Sequence, residues 1–206
     1  MIQTINKTLT FEEFVNWKPE NKHYELHSGV IVEVAQPLGK HENVVGFLAR
    51  KITVEFDRLN LPYFIASKVL VKPDAQDSAY CPDILVLDKG NLKNEPLYEK
   101  ELTVSQGESI PLVVEVVNTN WSDDYALKFE EYGNIGIPEY LIVDYLELGG
   151  KKFIGNPKLP TITVCQLEDG EYKSVLFRGD DMVQLKSFPE LKLTAKAIFQ
   201  SAQFGG

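Results

Sequence analysis

The sequence predicts an α/β fold in which a mixed β-sheet is flanked by helices. Two short aliphatic runs, 112–117 and 140–143, have the length and composition of buried strands. The segment between them carries Tyr125, Phe129 and Tyr132 at helical spacing, so the three elements form a βαβ unit with parallel strands. Alternating segments on either side of turn residues predict one hairpin near each end of the chain.

The first third of the chain contains a short helix, a hairpin and a long helix. Thr10 and Glu13 form a capping-box pattern, which predicts a helix through about Trp17. Residues 24–34 predict a hairpin that turns at Ser28-Gly29. The long helix is predicted over 41–59, because its apolar residues recur at helical spacing. They are Val44, Val45, Leu48, Ile52, Phe56 and Leu59.

The remaining elements follow in the order strand, strand, strand, helix, strand, hairpin and helix. Strands are predicted around 63–72 and 83–87, followed by a loop over 88–109 and the strand at 112–117. Ser122 is the predicted N-cap of the crossover helix, which ends near Asn134 before Gly136. The chain closes with the strand at 140–143, a hairpin over 161–177 and a helix over 194–200.

Length and composition indicate one globular domain spanning residues 1–206. Two distant cysteines, Cys81 and Cys165, outside any CxxC spacing, indicate a reducing compartment and argue against a zinc site. Neither a signal peptide nor a run long enough to span a membrane is apparent, so a cytoplasmic location is expected. The net charge of −9 argues against a broadly basic nucleic-acid-binding surface.

Two acidic residues on core strands are the main candidates for chemistry. Glu115 lies among aliphatic neighbours, where a carboxylate is costly to bury unless it is paired or ligates a metal. A structural pairing with backbone amides or an arginine explains it equally well. Asp83 follows Pro82 at the start of another apolar run, where a plain strand-entry aspartate is common. Together, the two could converge on Mg²⁺ or Mn²⁺, which prefer oxygen ligands.

Three further polar residues accompany this pair. Lys128 lies four residues after Asp124 and on the flank of the aromatic stripe, so it is either an exposed ion-pair partner or a residue directed towards the sheet. Glu25 alternates with its neighbours on the first hairpin, and could face away from them. His41, at the start of the long helix, is interpreted as a surface or capping residue, and Asp144 as a turn residue.

The ordered set of motifs resembles the Uma-type family of restriction endonucleases, within the PD-(D/E)XK nuclease superfamily. The resemblance covers roughly residues 10–190. It is carried by Tyr24-Glu25-Leu26, Gly29, His41, Pro82-Asp83, the run Leu112-Val113-Val114-Glu115-Val116-Val117-Asn118, Asp124, Lys128, Tyr132, Gly136 and the run Pro138-Glu139-Tyr140-Leu141-Ile142-Val143-Asp144.

This resemblance implies a restriction-endonuclease-like core and a Mg²⁺- or Mn²⁺-dependent endonuclease that hydrolyses DNA phosphodiester bonds. Asp83 and Glu115 would be metal ligands, together with the backbone carbonyl of Val116. Val117 stands where the superfamily usually has its lysine, and Lys128 on the following helix would replace it. Glu25 would be an accessory acidic residue beside the metal.

Two alternatives stay open at this stage. The acidic net charge and the displaced lysine favour a catalytically inactive nuclease-fold module that binds nucleic acid or protein. A structural protein with merely solvating acidic residues predicts that Lys128 and Glu115 point away from each other. Edge strands of a mixed sheet also make a homo-oligomer an expectation.

Overall fold

The computed structural model describes residues 4–19, 22–34, 36–73 and 77–203. The strands are β1 (Thr4–Thr8), β2 (Tyr24–His27), β3 (Val30–Glu33), β4 (Tyr63–Ala66), β5 (Leu70–Val71), β6 (Ile84–Asp88), β7 (Thr103–Val104), β8 (Leu112–Val116), β9 (Glu139–Asp144), β10 (Thr161–Glu168) and β11 (Glu171–Phe177). The α-helices are α1 (Phe11–Trp17), α2 (Gly39–Arg58), α3 (Tyr98–Glu101), α4 (Lys128–Asn134), α5 (Lys151–Ile154) and α6 (Ala195–Gln200).

A six-stranded mixed sheet with the order β11-β10-β9-β8-β6-β4 forms the centre of the fold. Strands β8 and β9 run parallel, and the other neighbouring pairs are antiparallel. The helical segment 121–134 crosses between the parallel pair, as the βαβ pattern predicts. The predicted mixed sheet with flanking helices is therefore confirmed.

The two faces of the central sheet carry separate cores, because successive strand residues point to opposite sides. On one face, Val114 and Val116 pack with the apolar side of α2 and with α6. On the other, Val113 and Val117 pack with Tyr125 and other aromatic residues of the crossover helix. Glu115 alternates with its neighbours in the same way, and it therefore projects towards the crossover helix.

A small N-terminal sheet with the order β1-β3-β2 packs beside the central one. Thr10 caps α1 in the predicted capping box with Glu13. Leu26 of β2 exchanges two backbone hydrogen bonds with Ala79, at 2.9 and 2.8 Å. This bridge attaches the hairpin to the segment that leads into β6, and so brings Glu25 close to the central sheet.

Two predicted elements differ from the structure. The single strand predicted around 63–72 is wrong, because β4 pairs with β6 in the central sheet whereas β5 leaves it and pairs in parallel with β7. The partner β7, together with α3 and two 3-10 turns, lies in the segment 88–109 for which only a loop is predicted. Each pairing depends on a strand that is distant in the chain, so the alternation of apolar and polar residues within one segment could not predict it.

The predicted N-cap at Ser122 is also wrong. Ser122 already has helical dihedral angles, φ −64° and ψ −33°, and its side chain caps no backbone N–H. The residues Asp123–Leu127 form a π-helical turn, in which the Lys128 N–H donates to the Asp123 carbonyl. Such turns are rare and frequently occur at functional sites.

Candidate active site

A small acidic cavity lies where β8 ends, between the central sheet, the β2–β3 hairpin and the crossover helix. Its volume is about 50 Å³. The charged groups that line it are Glu25, Asp83, Glu115, Asp123, Asp124 and Lys128. Five carboxyl groups thus surround a single ammonium group, which leaves an excess of negative charge at the cavity.

Asp83 and Glu115 are brought together by strand pairing. Strands β6 and β8 are antiparallel, with Ile84 opposite Val114. Extending this register by one residue places Asp83 opposite Glu115, on the same face of the sheet. Asp83 Oδ2 accepts a 2.7 Å hydrogen bond from the Val116 N–H, which fixes the carboxyl group at the end of β8.

Lys128 connects three carboxyl groups inside the cavity. Its Nζ lies 3.0 Å from Glu115 Oε1, 3.4 Å from Asp124 Oδ1 and 3.5 Å from Glu25 Oε1. The lysine is only 6% exposed, so the alternative of a solvent-exposed Asp124–Lys128 pair does not describe it. The orientation of Lys128 towards Glu115 also contradicts the reading of this chain as a structural protein whose acidic residues only solvate it.

Aromatic residues form the base of this arrangement. The Tyr132 hydroxyl donates to Glu115 Oε1 at 3.1 Å, and the ring of Tyr80 lies 5.7 Å from Lys128 Nζ. Tyr132 packs edge-on against Tyr80 and Tyr140, with ring centroids 5.8 and 5.2 Å away. These rings exclude water from one side of the charges and hold their positions.

Glu25 reaches the cavity from the N-terminal sheet. Its Oε1 accepts a 3.0 Å hydrogen bond from the Cys81 N–H, and its Oε2 lies 2.8 Å from His27 Nε2. Burial opposes ionisation, but Lys128, His27 and the Cys81 amide together lower the pKa of Glu25 to about 2. Glu25 is therefore a buried anion at neutral pH.

His41 is a site residue that the sequence interpretation placed wrongly. It is buried, not on the surface, and Leu38 occupies the N-cap of α2. His41 Nε2 lies 3.0 Å from the Val116 carbonyl oxygen and 3.3 Å from Asp83 Oδ2. Because a carbonyl oxygen only accepts, this nitrogen carries a proton. Burial lowers the pKa of His41, but Asp83, Glu42 and the carbonyl more than compensate and raise it.

Asp124 and Glu115 are harder to ionise than isolated carboxyl groups. Burial, only partly offset by Lys128, raises the pKa of Asp124 to about 6, and Asp83 and Glu25 contribute in the same direction. The pKa of Glu115 is raised well above its usual value by burial and by the neighbouring carboxylates, against the attraction of Lys128. A site that binds a cation is expected to contain closely spaced carboxyl groups, which repel one another and therefore have raised pKa values.

The donor atoms fit a hard divalent cation bound through few protein ligands. In the four described ranges, no three His, Cys, Asp or Glu side chains are arranged to ligate one ion. Mg²⁺, however, is commonly held by one or two carboxylates and keeps several waters. Asp83, Glu115 and Val116 line the cavity, and the two carboxyl groups together with the Val116 carbonyl would supply such a set of oxygen donors.

Sequence patterns identified most, but not all, of the residues assembled here. One cavity is lined by Glu25, Asp83, Glu115 and Lys128. Asp144 accepts hydrogen bonds in a turn, from the N–H groups of Leu148 and Gly149. Asp123, which lines the cavity, and His27, which binds Glu25, were not singled out. The sequence does contain one signal for His27. It follows Glu25 by two residues on the same strand, and residues at this spacing share a face of the sheet.

The fold and the acidic cavity together define a protein of the nuclease-like α/β class. The chain belongs to the Uma2 family, described as "Putative restriction endonuclease", whose model matches residues 11–196. This membership supports nuclease activity as the general function.

A solved structure independently supports the fold. It is described as a putative nuclease belonging to DUF820 from Anabaena variabilis ATCC 29413, and it matches with a TM-score of 0.72 at 18% sequence identity. The match covers 95% of this chain and 99% of the other. No match was found among curated proteins. In the described part of the chain, no helix has the length and apolar character needed to cross a membrane.

Proposed function

We propose that this protein is an endonuclease that hydrolyses DNA phosphodiester bonds with the help of Mg²⁺ or Mn²⁺. The observation that carries the proposal is the convergence of Asp83, Glu115 and Lys128 on one cavity. The side chain of Asp83 is 24% exposed, so solvent and a phosphate group can approach the acidic end of the site.

Asp83, Glu115 and the Val116 carbonyl are the groups that would hold the cation. A bound Mg²⁺ would lower the pKa of a coordinated water and neutralise charge on the phosphate. Asp83 is held in place by the Val116 N–H and by His41 Nε2, and Glu115 by the Tyr132 hydroxyl. These contacts fix both carboxyl groups before substrate arrives, which reduces the reorganisation needed during reaction.

Lys128 acts in this proposal as a fixed positive charge and not as a base. Burial disfavours its charged form, but Glu115, Glu25 and Asp124 outweigh burial and raise the pKa of the ammonium well above its usual value. Lys128 therefore keeps its proton at neutral pH and can stabilise negative charge that develops on a phosphate oxygen. Glu25 and Asp124 hold the ammonium group in position from its two other sides.

The test is cleavage of supercoiled plasmid DNA by the purified protein with Mg²⁺ or Mn²⁺. Wild type should nick or linearise the plasmid, and Asp83→Ala and Glu115→Ala should reduce the rate at least 100-fold. Lys128→Met should reduce it by a similar factor, because the charge facing the phosphate is lost. Glu171→Gln, which changes a 79% exposed acidic side chain on β11, is the matched control and should cleave as wild type does.

Calorimetric titration with Mn²⁺ separates a catalytic site from an inactive one. Wild type should bind the ion, and Glu115→Ala should lose this binding while it keeps the wild-type circular dichroism spectrum. Full Mg²⁺-dependent cleavage by folded Asp83→Ala or Glu115→Ala would refute the assignment. Nucleic-acid binding with neither cation binding nor cleavage would instead identify the inactive nuclease-fold module.

A further inference from the structure

A second cavity adjoins the acidic one and is chemically different from it. Its volume is about 290 Å³, and it shares Val34, Asn118 and Asn120 with the lining of the acidic cavity. A ligand whose charged end occupies the first cavity can therefore extend directly into the second. We call this second space the side cavity.

The side cavity has apolar walls with amide groups between them. Pro37, Leu38, Val117, Tyr145 and Leu148 supply much of the apolar surface. Its titratable groups are Glu33, which is ion-paired with Lys22 at 2.8 Å, and His41, which lies 3.3 Å from Asp83 Oδ2. The strong negative charge of the acidic cavity is therefore not repeated here, and a neutral planar group would be accommodated better than an ion.

We propose that the side cavity binds the nucleobase of the nucleotide next to the scissile phosphate, and thereby contributes to substrate selectivity. This inference rests on the proposed nuclease function. A phosphate at Asp83 and Lys128 carries its nucleoside by covalent connection, and the adjoining side cavity is within reach of that nucleoside because the two cavities share lining residues. An apolar space edged with amides matches a base, whose faces are apolar and whose edges form hydrogen bonds.

The size of the side cavity restricts how the base can enter. Small-molecule sites span about 300–1,000 Å³, so a cavity of about 290 Å³ lies at the small end of this range and suits one small planar group such as a single base. The base would therefore enter from a single strand, an end, or a position where it has been rotated out of the duplex. Unpaired or mismatched positions should be favoured, because extrusion there costs less.

Asn118 and Asn120 are the groups that would contact the edge of the base. Asn118 Oδ1 accepts a 2.9 Å hydrogen bond from the Asn120 N–H, which fixes the orientation of the Asn118 amide. Its Nδ2 group is left as a donor, so Asn118 would select an acceptor such as N7 of a purine or a carbonyl oxygen. The Asn120 amide can both donate and accept.

Tyr145 lines the side cavity and would stack on the base, and hydrogen bonds hold the loop that carries it. It directly follows β9, whose final residue Asp144 accepts hydrogen bonds from the N–H groups of Leu148 at 3.0 Å and Gly149 at 2.7 Å. The Val117 N–H donates to the Val143 carbonyl at 2.9 Å, which joins the ends of β8 and β9. Two parts of the lining, 117–120 and 145–148, therefore follow the same parallel strand pair that carries Glu115.

The first experiment maps cleavage sites on a library of single-stranded oligonucleotides with randomised bases. Wild type should prefer one base at a position adjacent to the cut by about tenfold or more. Asn118→Ala and Asn120→Ala should reduce this preference towards equal use of the four bases. Tyr145→Leu should raise KM with little loss of kcat, whereas Tyr145→Phe, which keeps the ring, should behave as wild type. Gln184→Ala removes an exposed amide outside both cavities and is the control.

The second experiment does not depend on cleavage. Side-chain amide signals of Asn118 and Asn120, assigned from the two alanine variants, are followed by ¹⁵N NMR while deoxynucleoside 5′-monophosphates are added. The inference predicts shifts that differ among the four nucleotides and are absent with inorganic phosphate. Such shifts without any cleavage would support the base site and overturn the proposed nuclease reaction. Cleavage without base preference and without amide shifts would overturn the base site alone.

Discussion

Glu25 lies in the N-terminal sheet, yet its carboxylate is one of the groups that balance the positive charge of Lys128 in the acidic cavity. Its carboxylate is 5% exposed and contacts Lys128, His27 and the Cys81 amide. Removing one member of a buried ion pair is far more damaging than removing an exposed one, because the remaining charge stays buried without a partner. The contacts of Glu25 inside the acidic cavity therefore also help to attach the N-terminal sheet.

Glu25→Gln should destabilise the fold at neutral pH and lose this effect in acid. The pKa of Glu25 is lowered from 4.5 to about 2 in the folded state, so its contribution is complete above pH 4.5 and disappears as the pH falls towards 2. At pH 7 the free energy of unfolding should fall by about 3 kcal/mol. Urea denaturation at several pH values measures the difference between wild type and variant.

Glu33→Gln on the same hairpin is the matched control for this experiment. Glu33 pairs with Lys22 at 2.8 Å, but the two side chains are 33% and 52% exposed. An exposed pair of this kind contributes at most about 1 kcal/mol. Equal effects of the two substitutions, or a Glu25→Gln effect that persists unchanged at pH 2, would show that the cavity does not hold Glu25 as an anion.

The individual site residues differ in how far the sequence reveals them. Glu115 is visible because a carboxylate within five aliphatic neighbours demands a partner. His41 is not, because its role depends on the approach of α2 to the Val116 carbonyl, 75 residues away in the chain. A histidine in the first turn of a helix has no local feature that distinguishes such a contact from exposure to solvent.

At the scale of elements, the crossover helix determines where Lys128 points. Asp124 and Lys128 share a face at the i, i+4 spacing that the sequence shows. The π-helical turn Asp123–Leu127 that precedes α4 is not predictable from periodicity, since it inserts one residue per turn and shifts the face that the helix presents. The split between β4 and β5 is hidden for a similar reason, because the β7 partner of β5 comes 33 residues later along the chain.

The end of the crossover helix is held by a close backbone approach at Gly107. A Cβ at Gly107 would lie 2.2 Å from the carbonyl carbon of Gly136, and the Gly107 N–H donates to the Ile135 carbonyl at 3.0 Å. Gly107→Ala should therefore lower the free energy of unfolding by about 3 kcal/mol or more, in the upper range for overpacking. It should also reduce cleavage, because α4 carries Lys128.

Gly46→Ala in α2 is the same chemical change as Gly107→Ala, but it should stabilise the fold. Among the residues that the structure describes, none outside the local helix comes within 4 Å of a Cβ at Gly46. Alanine favours a helix interior over glycine by about 0.8–1.0 kcal/mol. Thermal denaturation should show a higher melting temperature for Gly46→Ala and a lower one for Gly107→Ala. A Gly107→Ala variant as stable as wild type would mean that the contact between this loop and the end of α4 is not held tightly.

At the scale of the whole molecule, the net charge of −9 and the acidic cavity oppose the approach of a polyanion. Nucleic-acid binding that depends on many lysine and arginine contacts weakens steeply with salt, by a slope of about −0.9 for each phosphate neutralised. Few such contacts are expected here, so under the proposed function the positive charge that attracts the phosphate would come largely from a cation and from Lys128. The carboxyl groups of the acidic cavity account for part of the negative net charge.

Binding of DNA should therefore depend on a divalent cation more than on ionic strength. Fluorescence anisotropy with a labelled oligonucleotide should show little binding in EDTA and clear binding with Ca²⁺, which takes the same oxygen ligands as Mg²⁺. The slope of log K against log salt should correspond to only about two to four phosphates. Glu115→Gln should lose the response to Ca²⁺, whereas Glu171→Gln should keep it. Tight binding in EDTA with a steep salt slope would instead reveal a basic groove elsewhere on the protein, and the phosphate would then be recognised away from Asp83 and Glu115.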